Sequence, residues 1–435
     1  MPTRRAFLGA MTLPAAGLAG AGPAFRLDTR GVNLAALAAY PGTPDDVARD
    51  EDFWGEVARA FTVDRSMINL NNGGVSPAPA TVQDAMKRHL DFSNSTPPSV
   101  ALWQILEPRR EGVRQQVARH WGVSPDEIAF TRNASESLQI CQFGHDLDAG
   151  DEVLTTDQDY PRMLATFRQR ARREGIVLRE ISIPVPCEDD DEIVRRFEQG
   201  ITSRTRLILM CHVINLTGQI LPVRKVVAMA RGHGVPVIVD GAHGFAHIPF
   251  KLPDLDCDYY GTSLHKWLFA PHGTGLLYVR ADKITDLWPM MAADEALDAD
   301  IRKFEQIGTH PAANTLAVAE ALSFHQSLGD ERKAARLRYM RDMWALRLTG
   351  YSDRVQLHTS LRPGLSCGIA TVQIEGIDSG ELSGQLRKRY GIVVTPIKHP
   401  QFEGIRVSPS VYTTPDEIDR FSAAMEAIVR DGLNL

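Results

Sequence analysis

The sequence predicts an α/β protein in which a mostly parallel sheet is covered by helices and followed by a smaller α+β unit. Three observations predict it. Short, continuously apolar runs end in turn residues, as strands buried on both faces do. These runs alternate with helix-periodic stretches between Thr131 and Tyr278. A long helical stretch from about Ala317 then closes the alternation. The clearest strands are "EVLTT" (152–156), "RLILMCHV" (206–213) and "VPVIVDGA" (235–242). Between them, "PRMLATFRQRARREG" and "PVRKVVAMARGHG" have helical periodicity and stop at a glycine, which tolerates the left-handed backbone that follows a helix. The stretch "LAVAEALSFHQSLGDERKAARLRYMRDMWALRL" leads to a second unit, with strands near "GIATVQIEG" and "IRVSP" and helices near "SGELSGQLRKRYG" and "PDEIDRFSAAMEAIV". No internal repeat or low-complexity tract is visible.

Ahead of that core, "TRRAFLGAMTLPAAGLAGAGPA" joins Arg4 and Arg5 to Phe7, Leu8 and a short Ala/Gly/Leu run ending in small residues, the layout of a twin-arginine export signal. The run is too short and too rich in glycine for stable membrane insertion. Residues 1–24 are read as the signal, 25–80 as an N-terminal segment packing with the small domain, 81–320 as the large domain and 321–435 as the small one. Twin-arginine export machinery carries proteins already folded, so the expected location is periplasmic or exported, with little use of disulfides. Cys141, Cys187, Cys211, Cys257 and Cys367 have no C-x-x-C or metal-type spacing and are read as free and mostly buried. A chain of 435 residues, 43% hydrophobic, is long enough for two substantial domains. Its net charge of -6 comes without a Lys/Arg stripe, which removes nucleic acid from the expected partners.

In such a sheet, ligands collect beyond the carboxyl ends of the strands. The polar residues there are Asp159 and Tyr160 after "EVLTT", Asn215 after "LILMCHVI", Asp240 and His243 in "VPVIVDGAH", and Lys266 in "TSLHKW". Before a helix, "FTRNASES" places Asn133, Ala134 and Ser135 where backbone N–H groups and a hydroxyl hold a phosphate. The 26-residue separation of Asp240 and Lys266 leaves room for one strand, a turn and a second strand, returning acid and amine to one edge. A lysine for a Schiff base, a carboxylate to keep a pyridine nitrogen protonated and a helix N-terminus for a phosphate are together what a pyridoxal 5'-phosphate (PLP) site needs.

Through "INLNNGGVSPAP", "DGAH", "TSLHKW" and "IRVSPSVYTTPDEIDR", the chain from about Asp64 to its C-terminus resembles the class V aminotransferase family of fold type I PLP enzymes, and within it the isopenicillin N epimerase-like branch. The resemblance implies a seven-stranded-type sheet in the large domain and a homodimer with active sites at the subunit interface. It implies that Lys266 holds PLP covalently and shuttles protons at the substrate Cα, and that Asp240 pairs with the pyridine nitrogen. Asn215 and His243 match the positions that bond the ring's phenolic oxygen, and Tyr160 the aromatic stacked on the ring. Ala134, Ser135, Ser263 and His265 match the phosphate contacts, and Thr309 in "IGTHPAAN" the residue through which a neighbouring subunit reaches the phosphate. Arg406 matches the clamp on the α-carboxylate, a group that a planar guanidinium grips bidentately. Asn71 and Asn72 are expected to line the substrate side.

Competing motifs are weaker. His243 and His247 spell H-x-x-x-H, but they follow a strand and lack the zincin glutamate, so no metal is expected. "GLSCG" fits a nucleophile elbow with Ser366, which would make an exported esterase, yet a strand-like run follows where the elbow requires a helix. A cysteine desulfurase needs a cysteine on the loop shortly before Arg406, and "VVTPIKHPQFEGIR" has none. The reaction stays open between epimerisation, transamination and other Cα chemistry on an amino acid or an amino-acid residue of a peptide. Export favours a peptide or secondary metabolite, as in exported siderophore-tailoring relatives. A catalytically silent binding protein of this fold is the other alternative, and Lys266, Asp240 and Arg406 together speak against it.

Overall fold

The computed structural model describes residues 31–433, so the export signal expected at 1–24 lies outside the described residues. In chain order the strands are β1 (Ile68–Asn69), β2 (Ile128–Thr131), β3 (Glu152–Thr156), β4 (Val177–Ile181), β5 (Thr205–Cys211), β6 (Val237–Asp240), β7 (Tyr259–Ser263), β8 (Gly275–Val279), β9 (Val355–Leu357), β10 (Ala370–Ile374), β11 (Ile392–Val393), β12 (Thr395–His399) and β13 (Phe402–Val407). Seven of them form one sheet in the order β2-β8-β7-β6-β5-β3-β4. Pairing is parallel from β4 to β7, and β8 runs antiparallel to both β7 and β2. Burial explains the apolar runs: β3, β6 and β7 are buried throughout, whereas the edge strand β4 carries Arg179 and Glu180 and is half-exposed.

The helices Pro161–Glu174 and Val223–Gly232 lie where the periodicity places them. The long C-terminal stretch is two helices, Val318–Leu328 and Asp330–Tyr351, because Gly329 turns the chain at φ 80°. Between Asp240 and Lys266 the expected two strands are replaced by turns, a short helix Leu252–Leu255 and the single strand β7. Pro253 explains the helix, since proline suits a first turn and cannot donate within a strand.

The C-terminal unit is an antiparallel sheet, β12-β13-β10-β9, around a core that includes Trp344, Val372, Ile405 and Phe421. The N-terminal segment joins it directly: β1 pairs in parallel with β11, and Asn71 bridges to Ser408. Among the described residues no helix is long and apolar enough to cross a membrane, and all five cysteines are free and buried.

Candidate functional site

A cavity of about 350 Å³ opens beyond the carboxyl ends of β3, β5, β6 and β7. Asp240, the last residue of β6, forms part of its floor. The chain must leave the strand tightly there, since a Cβ on Gly241 would lie 1.9 Å from the Tyr260 ring. The Ala242 N–H donates to Asp240 Oδ1 at 3.0 Å. Burial nonetheless pushes the carboxyl up to about 6, against that bond and the charge of Lys266, with Asp159 adding to the rise. A protonated ring nitrogen would relieve this cost.

Lys266 sits in the turn after β7, with Nζ 3.1 Å from His243 Nε2. Its neighbour Trp267 is fully buried, stacks on the His247 ring at 3.9 Å, and offers its carbonyl to the Lys333 amine. The loop is thereby pinned on two sides. Burial pushes the Lys266 amine down to about 8; Asp240 opposes that shift and Arg406 assists it. His243 is held well below the usual histidine range, first by burial and then by Lys266, so its ring is neutral and accepts from the amine.

The anion cradle is built at the helix Ala134–Gly144. Asn133 caps it by accepting from Glu136 N–H at 2.9 Å, and the Ala134 N–H donates to Ser263 Oγ at 2.9 Å. Ser135 and Ser263 border the cavity beside these amides, which have no carbonyl partner within the helix. Gly275 permits the approach, because a Cβ there would lie 2.6 Å from Asn133 N. His265 also borders the cavity; its Nδ1 meets the Thr274 carbonyl at 3.1 Å, and burial pulls the ring down to about 4. Tyr160, 40% exposed, forms one wall.

Asn215 Oδ1 and His243 Nδ1 are buried without a hydrogen-bond partner. Both border the cavity, where a bound group can partner them. Together with the cradle and the buried acid they fit PLP, whose phenolic oxygen, ring nitrogen and phosphate call for those three kinds of partner.

Arg406 lies behind Asn215, 6% exposed, donating to the Asn215 carbonyl and to Asn71 Oδ1, both at 2.9 Å. Burial lowers its guanidinium to about 10. Asn71 also accepts from the Thr395 hydroxyl, so it orients Arg406. Asn72, expected on the substrate side, is corrected: it is fully buried, accepting from the Tyr412 hydroxyl at 2.6 Å and donating to the carbonyls of Asn69 and Ser408, which makes it a structural tie. Thr309 is exposed and outside this cavity. Ser366 is corrected as well. It is buried, donates to the Ser360 carbonyl and accepts from Arg341, so it has no base and no access. His247 Nε2 accepts from the Gly368 N–H at 2.9 Å and is unavailable to a metal.

The sequence reading missed Cys211, Arg162 and Met163 on the cavity wall. Cys211, the last residue of β5, pairs in register with Asp240 and lies within the apolar run "RLILMCHV". Burial and then the nearby Asp159 and Asp240 raise its thiol well above the usual range, so it is not a thiolate.

Residues 68–421 match the family model described as aminotransferase class-V. Among curated proteins, the isopenicillin N epimerase of Streptomyces clavuligerus is 30% identical, across 86% of this chain and 98% of its own length. A probable cysteine desulfurase of Vibrio cholerae is 26% identical, across 83% and 94%. Among solved structures, a cystine C-S lyase in complex with its product cysteine persulfide matches with a TM-score of 0.75 at 23% identity, covering 84% of this chain and 98% of its own. A variant crystallised with glycine covalently linked to its PLP cofactor gives 0.74 at 23% identity, covering 83% and 97%.

Proposed function

From the premise that this chain belongs to the class V aminotransferase family and uses PLP, we propose that it moves a proton at the Cα of an amino acid, or of an amino-acid residue in a peptide or secondary metabolite, in an epimerase-like reaction. The observation that carries the reading is Lys266: an amine pushed down to about 8, 3.1 Å from a neutral histidine, at the edge of a cavity floored by Asp240. PLP, when bound, withdraws electrons from Cα so that its proton becomes removable. Lys266 would move the proton on one face of Cα, inversion requiring that a proton be delivered to the opposite face by a second acid or water, and Asp240 would supply the negative charge that pairs with the ring nitrogen. Asn215 and His243 would hold the phenolic oxygen, Tyr160 would cover the ring, and Ala134, Ser135, Ser263 and His265 would hold the phosphate. Arg406, oriented by Asn71, takes the substrate's α-carboxylate.

Desulfuration is disfavoured even though desulfurases are among the relatives. The hairpin β12–β13 that carries Arg406 contains no cysteine, and the Cys367 thiol is buried against the carbonyls of His247 and Ala334. The test is incubation of the PLP-loaded protein in D₂O with amino acids and short peptides, read by NMR and chiral chromatography. Exchange of the Cα proton with inversion supports the reading. Sulfide release from cysteine overturns it, and accumulation of a keto acid redirects it to transamination.

We propose also that the protein is exported through the twin-arginine route and acts as a homodimer in which Thr309 of one subunit reaches the phosphate of the other. Replacing Arg4 and Arg5 by lysines should retain the protein in the cytosolic fraction. Sedimentation should give twice the chain mass of 48.1 kDa, less any cleaved signal. A monomer active in solution would remove the role given to Thr309.

A further inference from the structure

The order of the strands sets the two sides of the PLP cavity. Lys266 stands three residues after the end of β7 and Tyr160 four residues after the end of β3, with β6 and β5 between them in the sheet. Three strand spacings of about 4.8 Å put their stems roughly 14 Å apart. Asp240, at the end of β6, and Asn215, beyond β5, occupy the floor between. A substrate seated over that floor therefore has the amine on one side and the phenol on the other. The Tyr160 main chain is anchored, since its carbonyl accepts from the Met163 N–H at 2.8 Å at the start of the helix Pro161–Glu174. Its hydroxyl, by contrast, has no hydrogen-bond partner among the described residues. Burial lowers the Arg406 guanidinium and Tyr160 opposes that shift, so phenol and guanidinium are neighbours. The carboxylate that Arg406 takes is bonded directly to Cα, and a hydroxyl near Arg406 is accordingly near the carbon that inverts.

The other titratable groups around the cavity are engaged elsewhere. His243 faces Lys266, His265 meets the Thr274 carbonyl, and Asp240 and Cys211 end neighbouring strands of the floor. Arg162 shares the Tyr160 side, but a guanidinium does not give up its proton. We propose that Tyr160 is the second acid of the epimerase-like reaction assigned to this cavity, its hydroxyl delivering a proton to the face of Cα turned away from Lys266. This role rests on that reading. One proton leaves Cα for the Lys266 amine, and the electron pair left behind forms the new bond to the proton of the Tyr160 hydroxyl. Tyr160 is 40% exposed, so water restores the phenol and accepts the proton held by Lys266, and the turnover balances without another reactant.

The test compares PLP-loaded wild type with Tyr160→Phe, which keeps the ring and removes only the hydroxyl. Each enantiomer of free amino acids, and of N-terminal residues in short peptides, is incubated in D₂O and read by NMR and chiral chromatography. In the variant, the enantiomer whose Cα–H faces Lys266 should still exchange its proton, with retention. Its mirror image should lose both exchange and inversion, by roughly 10²–10⁴-fold. A residue that only shaped the site would slow both enantiomers alike. Borohydride trapping on Lys266 and the circular dichroism of the bound cofactor, which report on ring cover rather than turnover, should match in the two proteins. Equal inversion by both proteins, equal slowing of both enantiomers, or a changed cofactor dichroism overturns the role of Tyr160 and leaves the epimerase-like reading standing. Inversion by neither protein overturns that reading and this role with it.

Discussion

Lys266 and Lys333 are two lysines whose amines burial pushes down, to about 8 and about 7. Lys333 is fully enclosed: it donates to the Trp267 carbonyl and lies 4.2 Å over the Phe269 ring. Lys266 has a histidine nitrogen for a partner and borders an open cavity. The same contrast separates two asparagines, since Asn72 has its side chain saturated while Asn215 keeps a buried oxygen unpaired. A depressed amine therefore does not by itself mark a chemical lysine. Unpaired polar atoms around a cavity mark it.

If the two lysines behaved alike, this distinction would fail, and the sharpest comparison is covalent. After loading with PLP and borohydride reduction, peptide mapping should find the cofactor on Lys266 alone. Lys266→Ala should lose that label and slow turnover by roughly 10²–10⁴-fold, while Lys333→Met keeps the label. Next in size is Asp240→Asn, which exchanges a charged partner of the ring nitrogen for a neutral one. Fluorescence titration should show PLP affinity weakened roughly 10–100-fold, the worth of about 1.5–3 kcal/mol for a hydrogen bond to a charged group.

Capture of PLP should also depend on pH. With its amine at about 8, Lys266 is the protonated, unreactive form below that value, so the capture rate should climb nearly tenfold per unit up to pH 8 and level off above it. A rate flat between pH 6 and 8 would contradict the depressed amine. Arg406→Lys keeps the charge but loses the fork, so KM for a carboxylate substrate should rise about tenfold with a smaller change in kcat. The smallest effect belongs to Lys333→Met, which leaves the Trp267 carbonyl unpaired and should cost about 1–3 kcal/mol of stability in urea unfolding.

The parallel sheet and its carboxyl edge were legible in the sequence because a strand buried on both faces writes its burial as an unbroken apolar run, as in "RLILMCHV". Strand β12 was not. Thr395–His399 alternates buried and exposed positions around a proline and a lysine, which reads as loop. The cavity floor was legible for a related reason, since Asp240 and Asn215 follow such runs. Asn71 and Asn72 stand side by side in the sequence, and only the bridge from Asn71 to Ser408 decides that one orients Arg406 while the other turns into the core. Thr309 acts, on the reading above, across a subunit boundary that a single chain does not contain.

The bond between Asn71 and Arg406 closes over 335 residues. The polar floor is complete much earlier, once β8 has been made and Gly275 can receive Asn133. Roughly 130 residues separate those two moments, on the order of ten seconds at about 5–20 residues per second on the ribosome. The ribosome thus makes every residue of the polar floor before it makes the arginine that Asn71 orients.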